Sequence, residues 1–298
     1  MNYINQAPKE FNAQSAAFRK RHGNVNTLNY AGSPWVTQPK YDGVHIMVHT
    51  EGEGYARTRT GEEVLSVPHI IEQAKEKAGP GQVLFCEAYL FGEHHKTING
   101  MLRRKTPQPK LLAMVYDVVP QECFDEGYDP TPYRERFRKI QATLGGLGCP
   151  SIIPVPSMRI LPDGMTVQEY ALALTKLPDA YDGAILRDVT APWRRGAAKE
   201  GEVIKVKPSL SLDLLVTGHK VEHKPTKLGG YITVTYNGVE SNVGSGLTQD
   251  ILQALTQGVK AAGRIAEVEC MGITPSGKLR EPRFKSFRYD TEQEEMKG

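Results

Sequence analysis

Six residues, Lys40-Tyr41-Asp42-Gly43-Val44-His45, carry the strongest chemical signal in this 298-residue chain. They set a lysine in a glycine-containing turn at the mouth of a strand. Trp35-Val36-Thr37-Gln38-Pro39 leads into the turn and Ile46-Met47-Val48 leads out, so β-type runs bracket the ammonium group. Most lysines are solvated surface charges. One delivered to the end of a buried strand is a candidate nucleophile. Further along, Val203-Ile204-Lys205-Val206-Lys207 places two lysines two residues apart, hence on one face of a strand.

Other residues could serve such a lysine. Glu87 sits inside the apolar run Phe85-Cys86-Glu87-Ala88-Tyr89, where an unpaired carboxylate is costly and calls for a lysine, a ribose hydroxyl or a metal as partner. Thr58-Arg59-Thr60-Gly61 reads as a strand ending in a turn, with Arg59 at its tip. Met114-Val115-Tyr116-Asp117-Val118 puts an aromatic beside an acid. Tyr181-Asp182-Gly183-Ala184-Ile185-Leu186-Arg187 opens a further apolar run with an acid.

The elements that must position these groups are strand candidates at 44–49, 55–60, 83–91, 111–119, 152–157, 183–187 and 203–207, rich in Val, Ile, Leu, Phe and Tyr. Helices are expected over 68–78 and 132–144, each opened by a proline, and over 167–176 behind the capping box Thr166-Val167-Gln168-Glu169. A short helix is expected around Phe11–Arg21. This irregular mixture predicts an α+β domain built on antiparallel sheet. Pro208-Ser209-Leu210-Ser211 breaks the pattern. Beyond it come strands at 212–221, 231–236 and 239–243, the middle pair joined through Asn237-Gly238. A helix at 248–261 and strands at 264–272 and 283–288 complete a segment that fits a small β-barrel such as an OB-fold. The expected domains are 1–208 and 209–298.

Composition sets bounds. With 39% hydrophobic and 24% charged residues the chain can build a sizeable core, and a net charge of +3 neither requires nor excludes nucleic acid. Basic residues cluster at 19–22, 94–96, 103–105 and 194–195. The four cysteines are dispersed without CxxC spacing, which argues against a zinc module or disulfide framework and for a reducing, cytoplasmic setting. No secretory h-region opens the chain, and no apolar run approaches the ~20 residues of a membrane span.

In this order the motifs resemble those of the covalent nucleotidyltransferases, the superfamily of ATP-dependent DNA ligases, RNA ligases and mRNA capping enzymes. Lys40 matches the nucleophile of the KxDGx(R) element, with Gln38, Pro39, Tyr41 and His45 beside it on the nucleotide. Arg59 matches an arginine placed on the nucleotide, Glu87 an acid that contacts the ribose and often a divalent metal, and Tyr116 the ring that stacks on the purine. Asp182 matches the metal-ligating acid of EGxxxK, and Lys205 and Lys207 the phosphate-gripping KxK element. Leu279-Arg280-Glu281-Pro282-Arg283-Phe284, followed by Arg288-Tyr289-Asp290, resembles the ending of ATP-dependent DNA ligases, and the stretch 193–207 is especially similar to the small bacteriophage enzymes.

The resemblance implies ATP, Mg2+ (or Mn2+) and duplex DNA with a nick or joinable ends, handled by a monomer through a lysyl-AMP intermediate. A lysine forms a phosphoramidate only as the free amine, so the site must favour that form near neutrality. The basic stretches containing Arg103, Arg104, Arg194 and Arg195, with Arg283 and Arg288, are expected to hold the duplex. An RNA ligase, a capping-type guanylyltransferase and a non-catalytic OB-type nucleic-acid binder are the alternatives. The chain departs from the pattern where His45 replaces Arg, Asp182 replaces Glu, Arg187 replaces Lys and Thr291 stands in place of a final lysine. An imidazole in place of a fixed guanidinium implies a weaker polar contact and pH sensitivity near neutrality.

Overall fold

The computed structural model describes residues 6–11, 34–145, 148–158, 161, 164–178, 181–198, 201–274 and 276–288. The helix expected at 11–21, the Tyr289-Asp290 pair and the charged tail lie outside them. The chain divides into two compact units, Met1–Lys207 and Pro208–Gly298.

In the first unit the strands are β1 (Gln6–Ala7), β2 (Lys9–Glu10), β3 (Trp35–Tyr41), β4 (Val44–His49), β5 (Tyr55–Thr58), β6 (Gln82–Tyr89), β7 (Leu112–Pro120), β8 (Tyr128–Asp129), β9 (Ile152–Pro154), β10 (Tyr181–Asp188), β11 (Trp193–Arg194), β12 (Gly196–Ala197) and β13 (Val203–Val206). The helices are α1 (Pro68–Ala78), α2 (His95–Leu102), α3 (Gln121–Glu126), α4 (Tyr133–Leu144) and α5 (Val167–Leu174). Two sheets dominate, a five-stranded one in the order β5-β4-β6-β7-β9 and a four-stranded one in the order β2-β13-β10-β3.

The five-stranded sheet is apolar on both faces because its strands alternate between two cores. Ile46 and Val48 of β4 join the large cluster with Ile70 of α1 and Ile140 of α4, while Met47 points the other way to Phe85, Phe124 and Trp193. Double burial explains why these strands read as near-continuous apolar runs. On the four-stranded sheet, Ala184 and Leu186 of β10 and Ile204 of β13 pack with Val167 and Leu174 of α5. The expected Thr166–Glu169 capping box forms at the start of α5. Pairing is mainly antiparallel, as expected, but β9 joins β7, β2 joins β13 and β1 joins β12 in parallel.

Two helices were not expected. The basic stretch after His94 folds as α2, held by the buried Ile98 and Leu102 despite an interior glycine. Six-residue α3 buries Phe124 and ends at Gly127 in the left-handed region. The predicted strand at 152–157 is shorter, because pairing with β7 ends at Pro154.

The second unit holds β14 (Leu210–His223), β15 (Leu228–Tyr236), β16 (Val239–Val243), α6 (Gln249–Thr256), β17 (Ile265–Cys270) and β18 (Arg283–Phe287), forming one sheet in the order β16-β15-β14-β17-β18. Val216, Ile232, Val234, Val268 and Phe284 fill its core. Just past β16, Ser245 bridges Arg283 of β18, which ties the two edge strands together. The helix expected at 248–261 stops at Thr256. No helix among the described residues is long and apolar enough to cross a membrane.

A buried imidazole gives the first unit a pH dependence. His49 stacks on Tyr55 and its Nδ1 hydrogen-bonds with Gln121 Oε1 at 2.8 Å. Burial, opposed by the Gln121 bond and Asp125 and reinforced by Arg57, holds its pKa below the ordinary 6.5. The unfolded chain therefore binds this proton at a higher pH than the folded one, and stability rises with pH through that window. Its contribution is complete above about pH 6.5 and is lost as pH falls below it. Thermal melts of wild type and His49→Phe between pH 5 and 7.5 should show a shallower pH slope in the variant; parallel slopes would refute this.

Candidate active site

Strands β3, β10 and β13 deliver the charged centre. Lys40 is the penultimate residue of β3 and pairs in register with Gly183 of β10. The ladder slips between Tyr181 and Gly183, and Gly183 takes φ 124°, so the bulge re-aims Asp182. Asp182 Oδ2 accepts from Lys40 Nζ at 2.6 Å and from Lys207 Nζ at 3.1 Å. Asp182 is buried, and burial alone would raise its pKa; the charges and hydrogen bonds of Lys40, then Lys207, hold it below the usual carboxylate value.

Beside this centre opens a cavity of about 260 Å³, lined among others by Gln38, Pro39, Lys40, Tyr41, His45, Arg59, Glu87, Tyr116 and Arg187. Thus Lys40 and seven of the residues that the motifs place on the nucleotide share one cavity. Lys207 is not among the lining residues and is linked through Asp182 to Lys40, which is. Lys205 lies on β13 opposite Ile185 and is not among the lining residues. Tyr41 lines the wall, with its ring packed against Tyr89 and Tyr181.

Glycine in the Lys40 turn has a steric cause. A Cβ on Gly43 would stand 2.7 Å from Glu87 Cγ and closer still to the Ala88 carbonyl oxygen. The turn can cross β6 there only without a side chain. Glu87 itself pairs across the ladder with His45. Enclosure in the cavity wall pushes its pKa up to about 8, with Lys40 and Arg59 opposing the rise and Asp42 and Asp182 adding to it.

His45 departs from the expectation of pH sensitivity near neutrality. Its pKa is lowered to about 4, first by burial and then by the Arg59 charge, so it stays a neutral imidazole across the physiological range. Its Nδ1 and the Tyr116 hydroxyl share a hydrogen bond of 2.7 Å, while Nε2 is buried without a hydrogen-bond partner.

Several cavity features were not foreseen. Gln6 and Ala7 of β1, with Pro8, form part of the lining; their two-residue strand exists only through pairing with the distant β12, which no local pattern announces. Arg187 lines the cavity too, and the sequence marked it only as a replacement for lysine.

Among the described residues no group of three or more His, Cys, Asp or Glu gathers to hold a metal. Glu87 and Asp182 nevertheless offer carboxylate oxygens within mutual electrostatic reach. That donor set suits a hard cation bound mainly through substrate phosphates and water with one or two carboxylates.

The arginines expected on DNA are scattered. Arg103 and Arg104 are exposed at the end of α2, and Arg104 Nη1 donates to Gln108 Oε1 at 3.3 Å. Arg194 is exposed and lies over the Tyr128 ring. Arg195 instead donates to the Phe124 carbonyl at the end of α3 and covers the Phe124 ring. In the second unit, Arg283 is exposed, whereas Arg288 pairs with Asp213 at 2.9 Å and Glu267 at 3.5 Å.

A strand-borne lysine held by a bulge acid thus stands beside a cavity with a ring, an arginine and a second acid, which gathers most of the groups that the motif resemblance singled out. Comparison with known proteins shows what the chain is similar to. No family model matches the chain. It is 27% identical over 254 residues to a DNA ligase of Methanococcus maripaludis, an alignment covering 74% of this chain but 44% of that protein, so the chain spans less than half the length of the relative. Its fold superposes on that of a Lig E DNA ligase with a TM-score of 0.69 at 17% identity, covering 95% of this chain and 98% of the other. The ATP-dependent DNA ligase of bacteriophage T7, solved with ATP, gives a TM-score of 0.51 at 17% identity, covering 96% and 99%. The chain is thus similar in sequence to a curated DNA ligase and in fold to solved DNA ligases.

Replacing Gly43 by alanine tests the steric account. The added methyl should destabilise the first unit by about 1–3 kcal/mol and displace Glu87. Calorimetry should show a lowered melting temperature; an unchanged one would contradict the close approach.

Proposed function

We propose that this protein is an ATP-dependent DNA ligase that seals 5′-phosphate/3′-hydroxyl breaks in duplex DNA through an AMP adduct on Lys40. The observation that carries the reading is the Lys40–Asp182–Lys207 centre at the wall of a cavity shared with Tyr116, Arg59 and Glu87. The names of the curated relative and of the solved neighbours support it, as does the T7 enzyme's capture of ATP in its structure.

In this reading the Lys40 amine attacks the α-phosphorus of ATP, a P–N bond forms and pyrophosphate leaves. AMP then passes to the DNA 5′-phosphate, and the 3′-hydroxyl displaces it. Asp182 aims the amine, and Lys207 keeps a cation on Asp182 when Lys40 turns to the nucleotide. Arg59 supplies fixed positive charge beside the phosphates. Glu87 contacts a ribose hydroxyl, and Tyr116 stacks on the base. Glu87 and Asp182 would hold Mg2+, or Mn2+, which when bound neutralises phosphate charge.

The first unit is the adenylation domain. The second is an OB-fold barrel, an inference supported by the Ser245–Arg283 bridge between its edge strands. The exposed Arg103, Arg104, Arg194 and Arg283 contact the duplex backbone, which makes binding steeply salt-dependent. The enzyme acts as a monomer in the cytoplasm.

Incubation with α-labelled ATP, followed by a chase with nicked duplex, tests the whole sequence of steps. Label should attach covalently, vanish in Lys40→Ala, and transfer to DNA on the chase. No adduct, an adduct that survives Lys40→Ala, or transfer only to nicked RNA would overturn the reading.

A further inference from the structure

Arg187 is buried, 7% exposed, yet lines the cavity. Its Nε donates to Gln38 Oε1 at 2.9 Å. Its Cζ lies 4.9 Å from the ring centroid of Tyr116 and 5.0 Å from that of Tyr133. Nη1 stands 3.7 Å from Asp117 Oδ2, beyond hydrogen-bond reach. Asp117 has little need of it, because Arg136 binds both its oxygens, at 2.8 and 3.0 Å. A guanidinium kept only as a counterion would sit on the carboxylate. This one lies instead against two rings and an amide, and Tyr116 and Gln38 are themselves cavity residues.

Tyr116 is held at three points. His45 Nδ1 shares a hydrogen bond with its hydroxyl, the Tyr133 hydroxyl donates to its carbonyl at 2.9 Å, and Arg187 covers its ring. Tyr133 also receives Gln38 Nε2 at 2.7 Å, so ring and amide belong to one network. A flat aromatic binds a base face to face only when its plane is fixed in advance, and rigidity before binding lowers the entropy that binding must spend.

We propose that Arg187 is a positioning residue for nucleotide binding: its guanidinium fixes the Tyr116 ring and the Gln38 amide in the orientation that receives the base of ATP. This rests on the ATP-ligase reading above. Lysine, the residue that the motif resemblance expects at this position, cannot do the same work. An ammonium is a point donor and lacks the plane that lies against two rings while donating sideways to Gln38.

The test compares full-length wild type, Arg187→Lys, Tyr116→Leu and the double variant, measuring KM for ATP and kcat of lysyl-adenylate formation, with circular dichroism to establish folding. Arg187→Lys should raise KM roughly five- to tenfold while kcat at saturating ATP stays within about twofold, the pattern of lost uniform binding. In the Tyr116→Leu background the same substitution should raise KM clearly less, because only the Gln38 amide is left for it to hold. Arg187→Met, of similar length, carries the same expectation if the lysine variant does not fold. A folded variant with wild-type KM, or an equal rise in both backgrounds, overturns the proposal alone. A wild-type chain that takes up no label from ATP overturns the ligase reading and this proposal with it.

Discussion

One carboxylate shared by two lysines organises the first unit's chemistry. Asp182 is buried, and a buried acid survives as an anion only with cations and hydrogen bonds around it. Lys40 supplies both from β3 and Lys207 from just past the end of β13, the strands on either side of β10. The placement of the Lys40 amine is thus a consequence of sheet order. Exchange the neighbours of β10, or remove the bulge at Tyr181–Gly183, and the amine loses its tether.

The second constraint is steric. Where the Lys40 turn meets β6, Gly43 passes too close to the Ala88 carbonyl for any side chain, and the same crossing puts His45 across from Glu87. Charge and shape therefore meet in the same six residues. Around them the cavity offers an acid pushed toward neutrality, a neutral imidazole and an arginine against an aromatic plate. Burial shifts the acid and the imidazole from their aqueous values.

Much of this was legible from residue order alone. Lys40, Arg59, Glu87 and Tyr116 stand at strand ends or in apolar runs, where local pattern announces both the strand and the odd polar residue within it. Asp182 was legible as an acid ahead of an apolar run, although the metal-ligand role expected of it gave no hint of the lysine pair it forms here. What escaped depends on distant partners. Gln6 lines the cavity because a two-residue strand finds β12, far along the chain. Arg187 looked like a like-for-like exchange of cations, and only the rings of Tyr116 and Tyr133 reveal why a planar cation suits it. Arg195 and Arg288 were expected on the duplex, yet the first guanidinium covers a helix end and the second pairs with Asp213 and Glu267. His45 was expected to titrate near neutrality; burial takes it out of that range.

The central claim is that Asp182 aims Lys40, and the rate of adduct formation in Asp182→Asn measures it most directly. Asparagine keeps the size and the carbonyl oxygen but loses the charge that gathers both ammonium groups. The account predicts a folded protein whose single-turnover labelling by α-labelled ATP is slowed by about a hundredfold or more, the scale on which misplacing a reacting group acts. Labelling at the wild-type rate in a folded Asp182→Asn protein would contradict it.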